Sequence, residues 1–346
     1  MKIKAINCYF ILSALILLFV TGCNYASNEP SKPPVFIDES ILNTKAGVRP
    51  KNVIGTEALP EFLSEITDHI YVHESGAGEE IFLTSLLKED NTYTCNWYTG
   101  TTGKWIPVTE DEHEDNLKIT IAKDTTYFIL ELVSPDGKSK AYSNVCTVIC
   151  GSDKTEKVGM ILYRKNQDFL LKSDYSSEYG TPIGIVCEVK DDGTPKNVVT
   201  INKNLQKYSW CSSDAEGFNK KIQTSTKDGK DNWNIIKADV SDFEFPGKYP
   251  VFEDAIKLTD GGKTWFVPAR DELIAIKMNR NAINEAMAKL PSEYRIIGFL
   301  DSGYYISSSQ SEKYDNKIWI VSFGKSEVVQ ETKSTISCYN IFVAAY

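Results

Sequence analysis

Beyond residue 22 the chain never stays apolar for long. Its hydrophobic residues come in short runs such as "HIYVHE", "EIFLTSL", "TYFILELV" and "KIWIVSFG", separated by turn-formers such as Pro135-Asp136-Gly137. Runs of this kind read as strands, and they fall short of the roughly 20 apolar residues a membrane-spanning helix needs. The chain is therefore expected to be mainly β. Its 346 residues leave room for two domains, each with its own core, at about 150 residues per domain.

The first 22 residues follow a different logic. Lys2 and Lys4 precede an apolar stretch at 9–20, "YFILSALILLFV", of the length of a secretory h-region. Val20 to Cys23 then read "VTGC", which resembles a bacterial lipobox. The resemblance implies cleavage before Cys23 and lipidation of its sulfur and new amine. Several acyl chains on one residue anchor a protein stably where one chain is marginal. The expected partner at this end is a membrane, held through the lipid, with the protein on the outer membrane and facing either the cell surface or the periplasm. Residues 23–52, with Pro30, Pro33, Pro34 and Pro50 among Ser, Asn and Lys, read as a semi-extended tether.

Charge and histidine content exclude several chemistries. The chain carries 38 Lys plus Arg against 47 Asp plus Glu, a net charge of −9. It shows no local basic run along the sequence, so nucleic acid is not an expected partner. The three histidines, His69, His73 and His113, all lie in the first third. A His-based triad or zinc site is therefore excluded from the last two hundred residues. The acidic stretch Glu110 to Asp115 around His113 lacks the Gly turn of a calcium loop and reads as a solvated loop. His69 and His73 share a strand face without a third ligand nearby and read as surface residues. No catalytic residue, metal or cofactor is expected.

Residues 53–150 hold about seven short strand-like runs in about a hundred residues, the count of an immunoglobulin-like β-sandwich. Trp97 in "CNWY" resembles the buried central Trp of that fold, and "TYFILELVSPDG…SNVCTV" resembles its closing hairpin. The sandwich is expected to act as a spacer.

Residues 158–346 read as α+β. "YPVFEDAIKLTDGG" has helical character and ends in Gly261-Gly262. Pro268 starts a helical stretch, with a break expected at Asn279–Asn281. Asp271 and Glu272 sit in its first turn, where acids suit the helix dipole, and read as structural. "WFVPARDEL", "YYISSS", "IWIVSFG" and "IFVAAY" occur in that order. Together they resemble the C-type-lectin-like domain found at bacterial adhesin tips and at the C-terminus of collagen-like adhesins, the Lcl C-terminal-like family. Ala269 departs from that family's Ser/Thr and lacks the hydroxyl of a good N-cap. Trp265, Pro268, Leu273, Trp319 and Phe323 read as core and turn residues.

The resemblance implies a lipid-anchored adhesin or surface ligand-binding protein that recognises an extracellular protein or glycan through its last strands and loops. In this chain the face would comprise Tyr314, Asp315, Asn316, Lys325, Glu327, Gln330, Thr332, Lys333 and Tyr339, a mixture of aromatic and polar residues suited to recognition. One alternative is a glycan-capture lipoprotein of a polysaccharide-uptake system. Another, disfavoured because Cys338 stands alone near the C-terminus, is an enzyme of the formylglycine-generating type. Calcium-dependent sugar binding is disfavoured too, since "EPN", "QPD" and "WND" do not occur. Of the six cysteines downstream of Cys23, three fall in each expected domain, so they cannot all pair within domains; connectivity stays open.

Overall fold

The computed structural model describes residues 39–55, 61–88, 93–108, 116–201, 206–295, 300, 302–325 and 327–346. The apolar run at 9–20, Cys23 and the acidic stretch 110–115 lie outside the described residues.

The first half begins with a short helix, α1 (Glu39–Leu42). Strands β1 (Phe62–Ser64), β2 (His69–Val72), β3 (Glu80–Thr84), β4 (Leu86–Leu87) and β5 (Thr94–Gly100) follow. The half closes with β6 (Ile106–Pro107), β7 (Asn116–Thr120), β8 (Thr126–Val133), β9 (Lys140–Tyr142) and β10 (Cys146–Cys150). The main sheet runs β2-β10-β8-β5-β6, with β9 beside β8, while β3 pairs with β7 and β1 with β4. β10 lies parallel to β2 and antiparallel to β8. β7 buries Leu117 and Ile119 and exposes Lys118 and Thr120, the alternation of a strand with one face on a core. That core joins β3 and β7 to Trp97, Leu130 and Leu132 of the main sheet, with Trp97 directly opposite Leu130.

The other face of the main sheet is covered by part of the expected tether. Ile41 and Ala46 are buried against Tyr98, Trp105, Ile129 and Tyr142. Ala46 N–H donates to Gly103 O at 2.8 Å, and Val53 bridges Lys140. The stretch 41–46 is thus packed on the sheet through Ile41 and Ala46, and residues 47–53 continue along it with Val48 and Val53 exposed. Three of the four prolines that suggest a spacer lie at 30–34, ahead of the apolar residues that dock. Beneath them, Glu131 is fully buried and satisfied. It accepts from Asn96 Nδ2 at 2.8 Å, Tyr98 Oη at 3.1 Å and Tyr142 Oη at 2.9 Å.

The second half starts with β11 (Ile161–Lys165), β12 (Asp168–Lys172), β13 (Thr181–Val189) and β14 (Pro195–Thr200). Helices α2 (Gly229–Asp239), α3 (Pro250–Lys257), α4 (Arg270–Met278) and α5 (Arg280–Lys289) come next. Strands β15 (Tyr304–Gln310), β16 (Lys317–Ser322), β17 (Val328–Thr332) and β18 (Val343–Ala345) complete it. The antiparallel sheet β12-β11-β13-β14-β18 brings the last strand back beside β14, and β15-β16-β17 form a second sheet. Trp265, Leu273, Trp319 and Phe323 are buried, as core residues should be. The helical stretch divides at Asn279, as its two Asn residues suggest. α3 ends at Lys257, earlier than Gly261-Gly262, which instead form a following turn with positive φ.

The segment from Ile37 to Tyr346 is one compact unit. Its apolar core runs from Ile70 and Val72 of β2 into Ile161, Leu273 and Ile276 of the second half. Polar clamps reinforce the junction. Asn279 accepts from His73 N–H at 2.8 Å and donates to Tyr71 O at 2.8 Å and Cys187 O at 3.1 Å. Arg270, 1% exposed, donates to Ser64 Oγ at 2.8 Å and Glu65 O at 3.3 Å. Cys146, Cys150, Cys187, Cys211 and Cys338 are buried free thiols, and Cys95 is buried as well.

Candidate functional site

The nine recognition residues expected from sequence do not form one patch. Most of them lie at two ends of the β15-β16-β17 sheet, separated by the length of β16, about 20 Å at 3.3 Å per residue, with Gln330 between. Tyr314, Asp315, Asn316, Thr332 and Lys333 share one end, where Lys317 pairs with Thr332 and Lys333 N–H donates to Asn316 O. Lys325 and Glu327 belong to the opposite turn, where Glu327 accepts from Tyr304 Oη at 3.0 Å. Gln330 sits mid-strand opposite Trp319 and accepts from Ser311 Oγ at 3.2 Å. Tyr339 is half-buried, its ring 5.8 Å from that of Tyr305, with Lys207 Nζ 4.6 Å above it.

Lys333 is not a surface residue. It is 0% exposed, donates to Lys220 O at 3.0 Å and to Gly217 O, and lies 5.0 Å from the Trp210 ring. Burial pulls its ammonium down to about 8. Tyr314, 41% exposed, does stand out, with Lys317 Nζ 4.8 Å and Lys313 Nζ 5.7 Å from its ring.

A concave site lies elsewhere, where the two halves meet. A cleft of about 490 Å³ opens between β2 and the β13–β14 turn. His69 and Tyr71 are two residues apart on β2, so they face the same way. Their rings are nearly parallel, 8° apart, with centres 6.2 Å from each other. Tyr71 Oη donates to Asp191 Oδ1 at 2.7 Å. Burial first, then this carboxylate, hold the phenol above its usual range. Asp68 pairs with Lys227 across the junction, and Asp271 accepts from Arg270 Nε at 2.8 Å. Asp192 accepts from Thr194 N–H and Oγ1 at 2.8 and 2.6 Å, which lowers its pKa. Lys190 is exposed on the rim.

The floor is a partly buried polar network. Glu188 meets Lys196 Nζ at 2.7 Å. Asn197 Nδ2 donates both to Glu188 Oε2 at 2.8 Å and to Glu272 Oε1 at 2.9 Å. Glu272 also accepts from Ala269 N–H at 2.8 Å and Gly229 N–H at 3.1 Å, tying the starts of α4 and α2 together. Ala269 has no side-chain oxygen to reciprocate, so only the Glu half of a capping box is present. Burial, and then the Glu188 charge, raise the Glu272 carboxyl to about 8; the two backbone N–H groups act the other way.

Sequence reasoning placed none of its recognition residues in this cleft. Its local trace is the charged turn "VKDDGTPK", whose Asp-Gly marks a hairpin. Nothing in the sequence says that this turn meets His69. His73 lies apart and caps the turn after β2, accepting from Ser75 N–H at 3.2 Å.

No protein-family model matches the chain, and no curated protein matches it. Among solved structures, it is similar to SGBP-B of the Bacteroides ovatus mixed-linkage glucan utilization locus, solved in complex with a mixed-linkage heptasaccharide. The match has 11% identity and a TM-score of 0.19, and it covers 43% of each chain. A likeness of that degree carries no argument about fold or function.

Proposed function

We propose that the chain is a lipid-anchored surface protein that binds a glycan in the junction cleft without cleaving it. One observation carries the reading: the cleft sets a fixed ring pair, His69 and Tyr71, beside carboxylates held in place by their own partners. Sugar rings offer an apolar face to such rings and hydroxyls to such acceptors, and prefixed groups lose little entropy on binding. The lipobox-like "VTGC" supplies the anchor at Cys23. The first half then serves as an immunoglobulin-like wall of the site, and the second as a C-type-lectin-like body that contributes the β13–β14 turn.

The test is affinity electrophoresis of the full chain against a panel of soluble neutral polysaccharides. Retardation by at least one, relieved by His69→Ala, is expected. No retardation by any of them contradicts the glycan reading. A second reading, a protein ligand at the hairpin tip, is favoured by Tyr314 and the two ammonium groups over its ring. It requires binding that tracks Tyr314→Ala instead. Anchoring is tested by metabolic lipid labelling: Cys23→Ser should abolish the label, and a label that persists refutes the anchor.

A further inference from the structure

Folding assembles a basic, aromatic platform that the sequence does not display. Arg164 and Phe169 lie directly opposite each other across the β11–β12 pair, so their side chains share a sheet face. The Arg164 guanidinium is 4.7 Å from the centre of the Phe169 ring. Lys263, from the turn after α3, brings its ammonium to 4.4 Å from the same centre and 5.6 Å from that of the half-exposed Tyr346. One Lys263 N–H donates to Ala345 O at 2.9 Å. Among the described residues no carboxylate comes within ion-pair distance of Arg164 or Lys263. Asp168, next to Phe169 along β12, points to the opposite face. Two partly buried cations beside one ring repel each other, and burial together with Arg164 holds the Lys263 ammonium below its usual range.

The platform is separate from the cleft. Phe169 and Leu171 pack in the same apolar cluster as Val198. Asn197, next to Val198, faces Glu188 on the other side of the sheet. What the platform offers is a planar fork of donors, a second point charge and apolar ring walls. That set recognises a carboxylate carried on a ring. The acidic surface elsewhere would repel such a ligand, which makes the place selective.

We propose that Arg164, Lys263 and the rings of Phe169 and Tyr346 form a subsite for the carboxylate-bearing sugar of an acidic glycan. The experiment is calorimetric titration of the full chain with trigalacturonate, with the matching neutral galactose trisaccharide and with sodium acetate. Trigalacturonate should bind. The Arg164→Gln, Lys263→Gln double variant should weaken it about tenfold or more, while Lys237→Gln, on the exposed face of α2 outside both places, leaves it unchanged. Lys263→Gln alone, which keeps a donor for Ala345 O, should weaken it less, and unchanged melting of both variants shows that the fold is kept. The proposal is overturned if trigalacturonate does not bind, if the double variant binds it undiminished, or if acetate alone binds as tightly as the trisaccharide. Equal binding of the neutral trisaccharide at this place also overturns it. Because the cleft is tested with neutral polysaccharides and this place with an acidic one, failure here leaves the cleft reading standing, and the reverse holds as well.

Discussion

The ammonium of Lys333 is enclosed by the carbonyls of Gly217 and Lys220 and by the Trp210 ring. Removing it strands two acceptors and opens space beneath Trp210. Lys333→Ala should therefore destabilise the chain by about 2 kcal/mol, read as a lower urea midpoint with unchanged slope; an unchanged midpoint would show the side chain to be dispensable. Glu272 bears on pH. Its folded pKa of about 8 lies above the usual carboxyl value, so the folded chain binds this proton more tightly than the unfolded chain. The stabilising contribution is full below about pH 4 and is lost as pH rises toward 8. Lys333 and Lys277, both lowered to about 8 by burial, act in a different window: their penalty is relieved between about pH 8 and 10. Glu272→Gln keeps one oxygen for the Ala269 and Gly229 N–H groups, turns its amide nitrogen toward Asn197, and does not titrate. Melting temperature measured from pH 5 to 8 should fall less in this variant than in the wild type; parallel curves would mean that Glu272 does not set the slope.

At the scale of elements, α4 and α5 couple the halves through Asn279, which binds β2 and β13 at once. Asn279→Ala leaves a buried N–H and two buried carbonyls without these partners, at a cost of about 2–3 kcal/mol. Since the core crosses the same junction, the variant should still unfold in one transition at a lower midpoint; two separated transitions would show that the halves are energetically independent. Much at this scale was legible beforehand. "HIYVHE" reads as a strand because its residues are β-branched and aromatic, and β2 occupies it. The break at Asn279 was visible as two polar, weak helix formers close together. The docking of residues 41–53 was not, because Ile41 and Ala46 stand close behind a Pro-rich stretch and composition averages over both. Lys333 escaped for a related reason: Lys is rarely fully buried, and the residues that enclose it lie more than a hundred positions upstream.

For the whole molecule, the decisive feature is the meeting of β2 with the β13–β14 turn. Strand patterns report which face of an element is apolar, but not which distant element covers it, so the cleft is a product of docking. The expected recognition residues spread from one end of one sheet to the other, and a ligand contacting all of them would have to span about 20 Å. The cleft instead gathers donors, acceptors and rings around one volume. The measurement that tests this most directly is the affinity of the full chain for a retarding polysaccharide, determined for two variants side by side. His69→Ala with Lys190→Ala alters the cleft, and Lys313→Ala with Tyr314→Ala alters the tip. Recognition in the cleft predicts a loss of about tenfold or more for the first pair and wild-type affinity for the second. Loss confined to the tip pair, with the cleft pair binding as the wild type, would contradict it.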